Sequence, residues 1–130
     1  MLEIKATLRI SSKCLTLDKL KQVLGQPTKG HSIGDNISRG NTKREFSYWG
    51  WELPPEKRVS LESHIGKLLK ILDDKKESID VIRDQIEIDI FCCLSSDNGQ
   101  GGAIFSAGLI KLLELYNIDV VLDLYMDPED

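Results

Sequence analysis

The side chains best suited to chemistry lie between residues 26 and 51, where charged groups and aromatic rings follow one another closely. Residues 26–44 are rich in Gly, Ser, Thr, Asn and Lys and have no sustained apolar period, so they are predicted to form a long loop. Ionisable side chains gather in or beside this loop, namely Lys29, His31, Asp35, Arg39, Lys43 and Arg44. Together with neighbouring rings they would suit an anion, whereas ordinary solvated loop charge is the alternative interpretation.

Half of the chain's Phe, Tyr and Trp residues stand in the stretch FSYWGWEL, at residues 46–53. In a strand, alternation puts Trp49 and Trp51 on one face and Phe46 and Tyr48 on the other. Rings of this kind anchor interfaces, but they also fill cores, so packing of both faces is the competing explanation. The predicted binding residues are Lys29, His31, Arg39, Arg44, Tyr48, Trp49 and Trp51.

The glycine-rich stretch DNGQGG, at residues 97–102, precedes a helix start and therefore needs testing as a phosphate loop. A P-loop requires a Gly-Lys-Ser/Thr ending, but Gly102 is followed by Ala, Ile and Phe. The dinucleotide pattern also fails, because Ile104 stands where the last glycine belongs. We expect a turn at 97–99 and a short strand at 103–105.

No pattern of catalytic or metal-binding residues occurs in the chain. Metal ligands would have to come from Cys14, Cys92, Cys93, His31 and His64, which show no C-x-x-C or H-x-x-x-H spacing. The serines do not form a G-x-S-x-G elbow. We therefore predict no catalytic residue, no metal and no cofactor.

Composition limits the class of protein. A chain of 130 residues fits one domain, predicted to span 1–130 with an acidic tail at 127–130. A net charge of -4 argues against nucleic acid as a partner. The amino terminus alternates polar and apolar residues, unlike a secretory signal, and no run approaches the ~20 apolar residues of a membrane span. Three cysteines are simplest as reduced thiols in a cytoplasm.

Apolar periodicity predicts the elements that must position these residues. Period-two alternation predicts strands at residues 2–10 and 86–94, and two further strands are expected at 46–53 and 119–126. Helices should begin after the cap residues Thr16, Ser60 and Ser106. The second helix should break within DDKKES, at 73–78, and Asn117 should end the last one. Hydrophobic staples are expected between Leu15 and Leu20 and between Phe105 and Ile110.

These elements predict a single α+β domain with an antiparallel or mixed sheet of four to five strands and helices mainly on one face. A ferredoxin-like topology is preferred, because EIKATLRISSK at residue 3 and EIDIFCCLSSD at residue 87 suggest two related units. An open parallel sheet is the rival, and the charged alternate face of residues 3–9 counts against it. The core is predicted to include Leu8, Leu20, Leu68, Ile88, Leu112 and Leu122.

The order of the motifs resembles a known family. LGQPT after the first helix, the aromatic strand, LESHIGKLLKIL, and then GQGGAIFSAGLIKLLELYNIDVVLDLY are similar to the bacterial family called domain of unknown function 4279. The resemblance covers nearly the whole chain. It implies a fold and a bacterial, cytoplasmic protein, but it supplies no catalytic or binding residue.

Three classes of function remain open. The leading expectation is a non-enzymatic binding or protein-interaction domain, whose partner is a protein or a small ligand. The alternative is an immunity-type protein that neutralises a basic toxin, since opposite charge accelerates association. An enzyme with an unrecognised site comes third. An adjacent toxin gene would favour the second class, and a metabolic operon would favour the third.

Overall fold

The fold is built on one mixed β-sheet, seen in a computed structural model that describes residues 2–37, 40–57 and 59–126. The strands are β1 (Leu2–Ser12), β2 (Lys29–His31), β3 (Ser47–Glu52), β4 (Glu56–Lys57), β5 (Glu87–Ser96) and β6 (Asp119–Met126). The helices are α1 (Leu17–Leu24), α2 (Leu61–Asp74), α3 (Lys76–Ile82) and α4 (Ala107–Tyr116), and a 3₁₀ turn spans Arg83–Gln85. The α+β class and the mixed sheet are as predicted.

The strand order is β2-β3-β1-β5-β6, with the short β4 paired to the start of β1. All neighbours are antiparallel except β5 and β6. Strands β1 and β2, which α1 joins, have β3 between them. Strands β3 and β5, which are joined through α2 and α3, have β1 between them. Such split units occur in ferredoxin-like sheets. However, β6 is added beyond β5 as a parallel edge strand, so the ferredoxin-like topology is not confirmed for the sheet as a whole.

The core lies on one face of the sheet. The even-numbered apolar residues of β1 and β5, from Ile4 to Ile10 and from Ile88 to Leu94, are buried under the helices. Lys5 and Arg9 alternate with them and keep much of their side chains in solvent. The helices therefore cover one face, and the open parallel alternative, which needs cover on both faces, does not apply.

The helix boundaries follow the predicted caps. Thr16, Ser60 and Ser106 each accept a hydrogen bond from a backbone N–H of the first turn, at 3.2, 3.1 and 3.1 Å. The expected break falls at Lys75, between α2 and α3. Asn117 ends α4 in the left-handed conformation with φ of 55°. Local side-chain chemistry is therefore enough to place the helix ends.

Two predictions about local structure were wrong. The segment 26–44 is not a loop throughout, because it contains β2 and a bridge between Asn36 and Lys43. Residues 103–105 form no strand. The staple expected between Phe105 and Ile110 stays a prediction, because the exposure of Ile110 does not exclude a contact with Phe105. Pairing with β3, which is distant in sequence, explains β2, and the expected strand at 103–105 has no such partner.

The core prediction was right for four residues and wrong for two. Leu8, Leu20, Leu68 and Ile88 are buried, whereas Leu112 is 44% exposed and Leu122 is 43% exposed. Leu122 lies on β6, which pairs with only one other strand in the described part of the chain, and Leu112 lies on α4, the helix that leads into β6. Both residues are thus at the rim of the core rather than inside it.

Candidate functional site

The uncovered face of the sheet carries a groove with a volume of about 680 Å³. We call it the sheet groove. Its floor is built from the residues of β1, β5, β6 and β3 that alternate with the core positions, and β2 and residue 44 form one side. Its lining residues are Lys5, Thr7, Arg9, Lys29, Gly30, His31, Arg44, Phe46, Tyr48, Glu52, Phe91, Cys93, Asp123 and Tyr125.

Three rings form one end of the sheet groove. The imidazole of His31 stacks on the ring of Tyr48, with centroids 5.6 Å apart and planes inclined at 26°. Phe46 lies at 5.5 Å from His31 on a tilted plane. The Tyr48 ring occupies the space over Gly50, where a Cβ would come within 2.7 Å of its Cζ. A glycine at 50 therefore allows this ring to lie flat along the sheet.

Burial sets the protonation of this aromatic end. It raises the pKa of Tyr48, so the phenol keeps its proton and can donate a hydrogen bond. The pKa of His31 is lowered, first by burial and then by the positive charge of Arg44. The Nδ1 atom of His31 is shielded from solvent and has no hydrogen-bond partner in the part of the chain that the structure describes. His31 is thus a neutral ring at neutral pH.

The cations of the sheet groove fall into two groups. Arg9 donates two hydrogen bonds of 2.7 Å to the Asp89 carboxylate and lies 4.6 Å above the Phe91 ring, and Lys5 is 3.8 Å from Glu52. The bond to Asp89 raises the pKa of Arg9, so its charge is permanent but already balanced. Lys29 and Arg44 form the second group.

Neither Lys29 nor Arg44 has an ion-pair partner within residues 2–37, 40–57 and 59–126. The backbone at Arg44 is held in place, because its N–H donates to Asp35 at 2.7 Å and its carbonyl accepts from Gly34 at 2.9 Å. Lys29 stands opposite Gly50 in the β2–β3 pairing. Two fixed backbone positions thus present two unbalanced cations beside the aromatic end.

The predicted binding residues are separated by the sheet. Lys29, His31, Arg44 and Tyr48 meet in the sheet groove. Trp49 and Trp51 lie on the helical face, as alternation predicted, with Trp49 completely buried and its Nε1–H donating to the carbonyl of Gly25 at 2.9 Å. The two indoles stack at 6.3 Å, and the partly buried Trp51 packs against the core on the same face, so neither can share the groove surface. Arg39 lies outside the described residues.

Sequence reasoning missed the part of the groove that comes from distant strands. Arg9, Phe91, Cys93 and Tyr125 join it through the pairing of β1 with β5 and of β5 with β6. A signal was present, because residues 3–9 carry a charged alternate face and Phe91 makes the corresponding face of β5 less polar. Only the strand order shows that these faces adjoin residues 29–48.

A second depression, of about 580 Å³, continues from the sheet groove past Arg9, Phe46 and Tyr48. Its far end is lined by Glu87 and Asp119, together with Arg83. Arg83 donates to the carbonyl of Asn117 at 2.9 Å. The open face is therefore cationic at the β2 side and more acidic near the start of β5.

The glycine-rich stretch forms a turn. Gly99 has φ of 73°, and the N–H of Gln100 is bonded to Ser96 Oγ and Asn98 Oδ1, both at 3.0 Å. Since this amide is already satisfied, it does not point to a phosphate. Within the described residues there is also no cluster of three or more His, Cys, Asp or Glu side chains able to hold a metal ion.

Comparison with known families agrees with the motif order. The profile described as Domain of unknown function (DUF4279) matches residues 2–127. The chain belongs to this family. No curated protein and no solved structure matches it. Within the described ranges, none of the helices combines the length and apolar character needed to cross a membrane. The family description assigns no activity, so function has to be argued from the sheet groove.

Proposed function

We propose that the protein is a non-enzymatic binding protein that holds an anionic ligand in the sheet groove. The observation that carries the proposal is the pair of unbalanced cations, Lys29 and Arg44, beside the rings of His31 and Tyr48 on a sheet face that no described helix covers. Cations held next to rigid rings supply charge and contact area without a large ordering cost.

The lining suggests the class of ligand. A carboxylate or phosphate group would bind Lys29 and Arg44, and Tyr48 would donate its phenolic proton. A flat or apolar portion would lie along the sheet toward Phe91. The volume of about 680 Å³ lies within the range of small-molecule sites, and a short acidic peptide segment would fit the same open trough.

The protonation state of Cys93 favours binding over covalent chemistry. Burial and the charge of Asp123 raise the pKa of this thiol, and Lys5 opposes them only in part. A thiol kept protonated at neutral pH is a weak nucleophile. Neutral His31 stacks on rings and has no hydrogen bond to a serine or a thiol among the residues that the structure describes, so it forms no nucleophile–base pair with any of them.

A ligand panel with two double variants tests this proposal. Thermal unfolding is measured with mono- and dicarboxylates, aromatic carboxylates and phosphate esters, for the wild type, for Lys29→Ala/Arg44→Ala and for Lys19→Ala/Lys70→Ala. The last variant loses the same charge from exposed helix positions. A true ligand at 100 times its dissociation constant stabilises the fold by about 2.7 kcal/mol. We expect this shift in the wild type and in the helix variant and its loss in the groove variant; equal shifts in all three would refute the site.

An immunity-type protein that neutralises a basic toxin is the second candidate. It is favoured by the acidic end of the open face at Glu87 and Asp119 and by the net charge of -4. A toxin gene adjacent to this one would provide the partner for a binding assay. Glu87→Lys/Asp119→Lys should then slow association with the toxin, whereas Lys29→Ala/Arg44→Ala should not. The reverse pattern would favour the anion site.

The cytoplasm of a bacterium is the proposed compartment, with no nucleic acid or membrane as partner. Cys14, Cys92 and Cys93 are all free thiols. Burial raises the pKa of Cys92 to about 11, which suits a structural thiol in a reducing environment. The acidic net charge supports the exclusion of nucleic acid.

A further inference from the structure

The two edges of the sheet differ in how they are protected. The β2 edge is three residues long and contains Lys29 and Gly30, features that discourage pairing with another strand. The β6 edge is eight residues long and has no Pro or Lys, and it pairs with β5 in continuous register without a bulge. Natural sheets rarely leave such an edge bare. Because no strand among the described residues pairs with the outer side of β6, this edge is available for a further strand.

The helical side of β6 is apolar and only partly covered. Leu122 and Leu124 stand opposite the core residues Cys92 and Leu94, yet they are 43% and 56% exposed. A large exposed apolar surface on a small protein marks an interaction site. This apolar surface also explains why the sequence pattern predicts Leu122 to be a core residue.

Helix α4 has exposed apolar side chains of its own. Successive helical residues are about 100° apart, so Ile110 and Leu115 lie on opposite flanks of the buried Leu109. The Leu115 flank faces α3, since Leu115 and Tyr116 line a cavity with Ile79. The other flank, with the exposed Ile110, lies on the opposite side of the helix and is directed away from α3.

We propose that β6 pairs antiparallel with β6 of a second copy, across a two-fold axis at Leu122. Residues directly opposite each other in an antiparallel pair lie on the same face of the sheet. The two-fold axis must therefore pass through a residue position and not between two residues. An axis at Val121 would place Asp119 opposite Asp123, and an axis at Asp123 would place that residue opposite itself. Like charges directly opposite each other are destabilising.

An axis at Leu122 avoids every such clash and keeps the strands almost fully overlapped. Asp123 then stands opposite Val121, and Asp119 stands opposite Tyr125. On the helical side, Leu122 meets its own copy, and Leu124 meets Val120. The pattern of charges and apolar residues along β6 is thus self-complementary, and this is the reason for choosing a second copy as the occupant.

The dimer would also complete one wall of the sheet groove. Asp123 and Tyr125 line the groove and lie on β6, so its rim ends at the free edge of the sheet. In the pair, Asp119 of the second copy would face Tyr125 across that rim. The inference does not depend on the proposed ligand, because it rests on the strand edge alone.

Disulfide trapping tests the dimer and its register together. Leu122→Cys, in a Cys14→Ser/Cys93→Ser background, should form a covalent dimer under mild oxidation, because opposed Cα atoms about 4.5–5.5 Å apart can be bridged. Leu124→Cys is the matched control, since its two copies would be roughly 14 Å apart along the strands and should stay unlinked. A mixture of Val120→Cys and Leu124→Cys chains should cross-link to each other.

Sedimentation of the unmodified protein gives an independent measurement. We expect the mass of two 14.6 kDa chains at high concentration. Leu122→Lys should shift the equilibrium to monomers by about tenfold or more, because it places two cations on the axis. Leu122 and Leu124 are exposed in the single chain, so Leu122→Lys should leave the circular dichroism of the protein unchanged. A wild type that stays monomeric, or a Leu124→Cys protein that cross-links as readily as Leu122→Cys, would overturn the proposal.

Discussion

His64 is a buried side chain whose polar atoms have no hydrogen-bond partners in the described part of the chain. Its imidazole lies on α2 with no exposed surface, and neither ring nitrogen has a hydrogen-bond partner among the described residues. Burial lowers its pKa, the nearby Glu56 opposes that shift, and Lys67 adds to it. The ring therefore stays neutral in the folded protein at a pH where the unfolded chain would already bind a proton.

Stability should consequently fall as the pH is lowered through about 6.5, the ordinary pKa of histidine in an unfolded chain. Because the folded-state pKa lies below that value, the unfolded chain takes up the proton first, at up to about 1.4 kcal/mol per pH unit. Above a pH of about 6.5, the stability no longer depends on the protonation of His64. Urea unfolding of the wild type and His64→Leu at pH 5, 6, 7 and 8 measures it.

We expect His64→Leu to show a flatter pH profile and a stability at neutral pH equal to or above that of the wild type, because an unpaired buried polar group is removed. His31→Gln is the control for the other histidine whose pKa is lowered. Identical slopes for the wild type and His64→Leu would show that the buried imidazole is not the titrating group.

Gly50 gives a second prediction at the residue scale. Gly50→Ala places a Cβ within 2.7 Å of Tyr48 Cζ, so the ring must leave its position along the sheet. We expect a loss of about 1–3 kcal/mol and a changed near-ultraviolet spectrum. Gly66→Ala is the matched control, because nothing lies within 4 Å of its new Cβ and alanine favours the helix. Equal stabilities for the two variants would mean that the Tyr48 ring moves aside at no cost.

At the scale of elements, α2 and α4 contribute unequally to the core. The apolar stripe of α2 is buried along its length, from Leu61 to Leu72. In α4 only Leu109 is buried, although the helix is rich in leucine. An apolar helix sequence therefore does not by itself measure how much of the helix is covered.

Truncation of one leucine in each helix should show the difference. Leu68→Ala should cost about 2–5 kcal/mol, because it leaves a cavity in the closed part of the core. Leu112→Ala should cost less than about 1 kcal/mol in the monomer, since this side chain is 44% exposed and solvent fills its place. Urea unfolding at low protein concentration compares them. A loss under about 1 kcal/mol for Leu68→Ala would mean that the α2 stripe is not core.

At the scale of the whole molecule, the sheet has one covered face, one open face and one unprotected edge. If two copies pair through that edge, unfolding is coupled to dissociation, and the midpoint temperature must rise with protein concentration. We expect such a rise for the wild type across a hundredfold dilution series, roughly from micromolar to a hundred micromolar. Leu122→Lys should unfold at one temperature throughout, and the same behaviour in the wild type would contradict the coupling.

The sequence alone determined the local features of this protein. Alternation in residues 2–10 and 86–94, the caps Thr16, Ser60 and Ser106, and the left-handed Asn117 each act within a few positions of the chain. The one-sided core follows from the same alternation, because a strand with one charged face can be covered only on the other. The opposite orientations of Tyr48 and Trp49 were predicted for this reason too.

Tertiary structure decided what depends on strand neighbours. Arg9 meets Asp89 across 80 positions of sequence, and this pairing joins Phe91 to the surface formed by Lys29, Arg44 and Tyr48. Trp49 became core rather than binding surface because the helices cover its face of the sheet, where its indole N–H donates to the carbonyl of Gly25, the residue after α1. Leu122 has the pattern of a core residue but lies at an edge. No local pattern encodes the strand order, which is set by how well whole faces bury against one another.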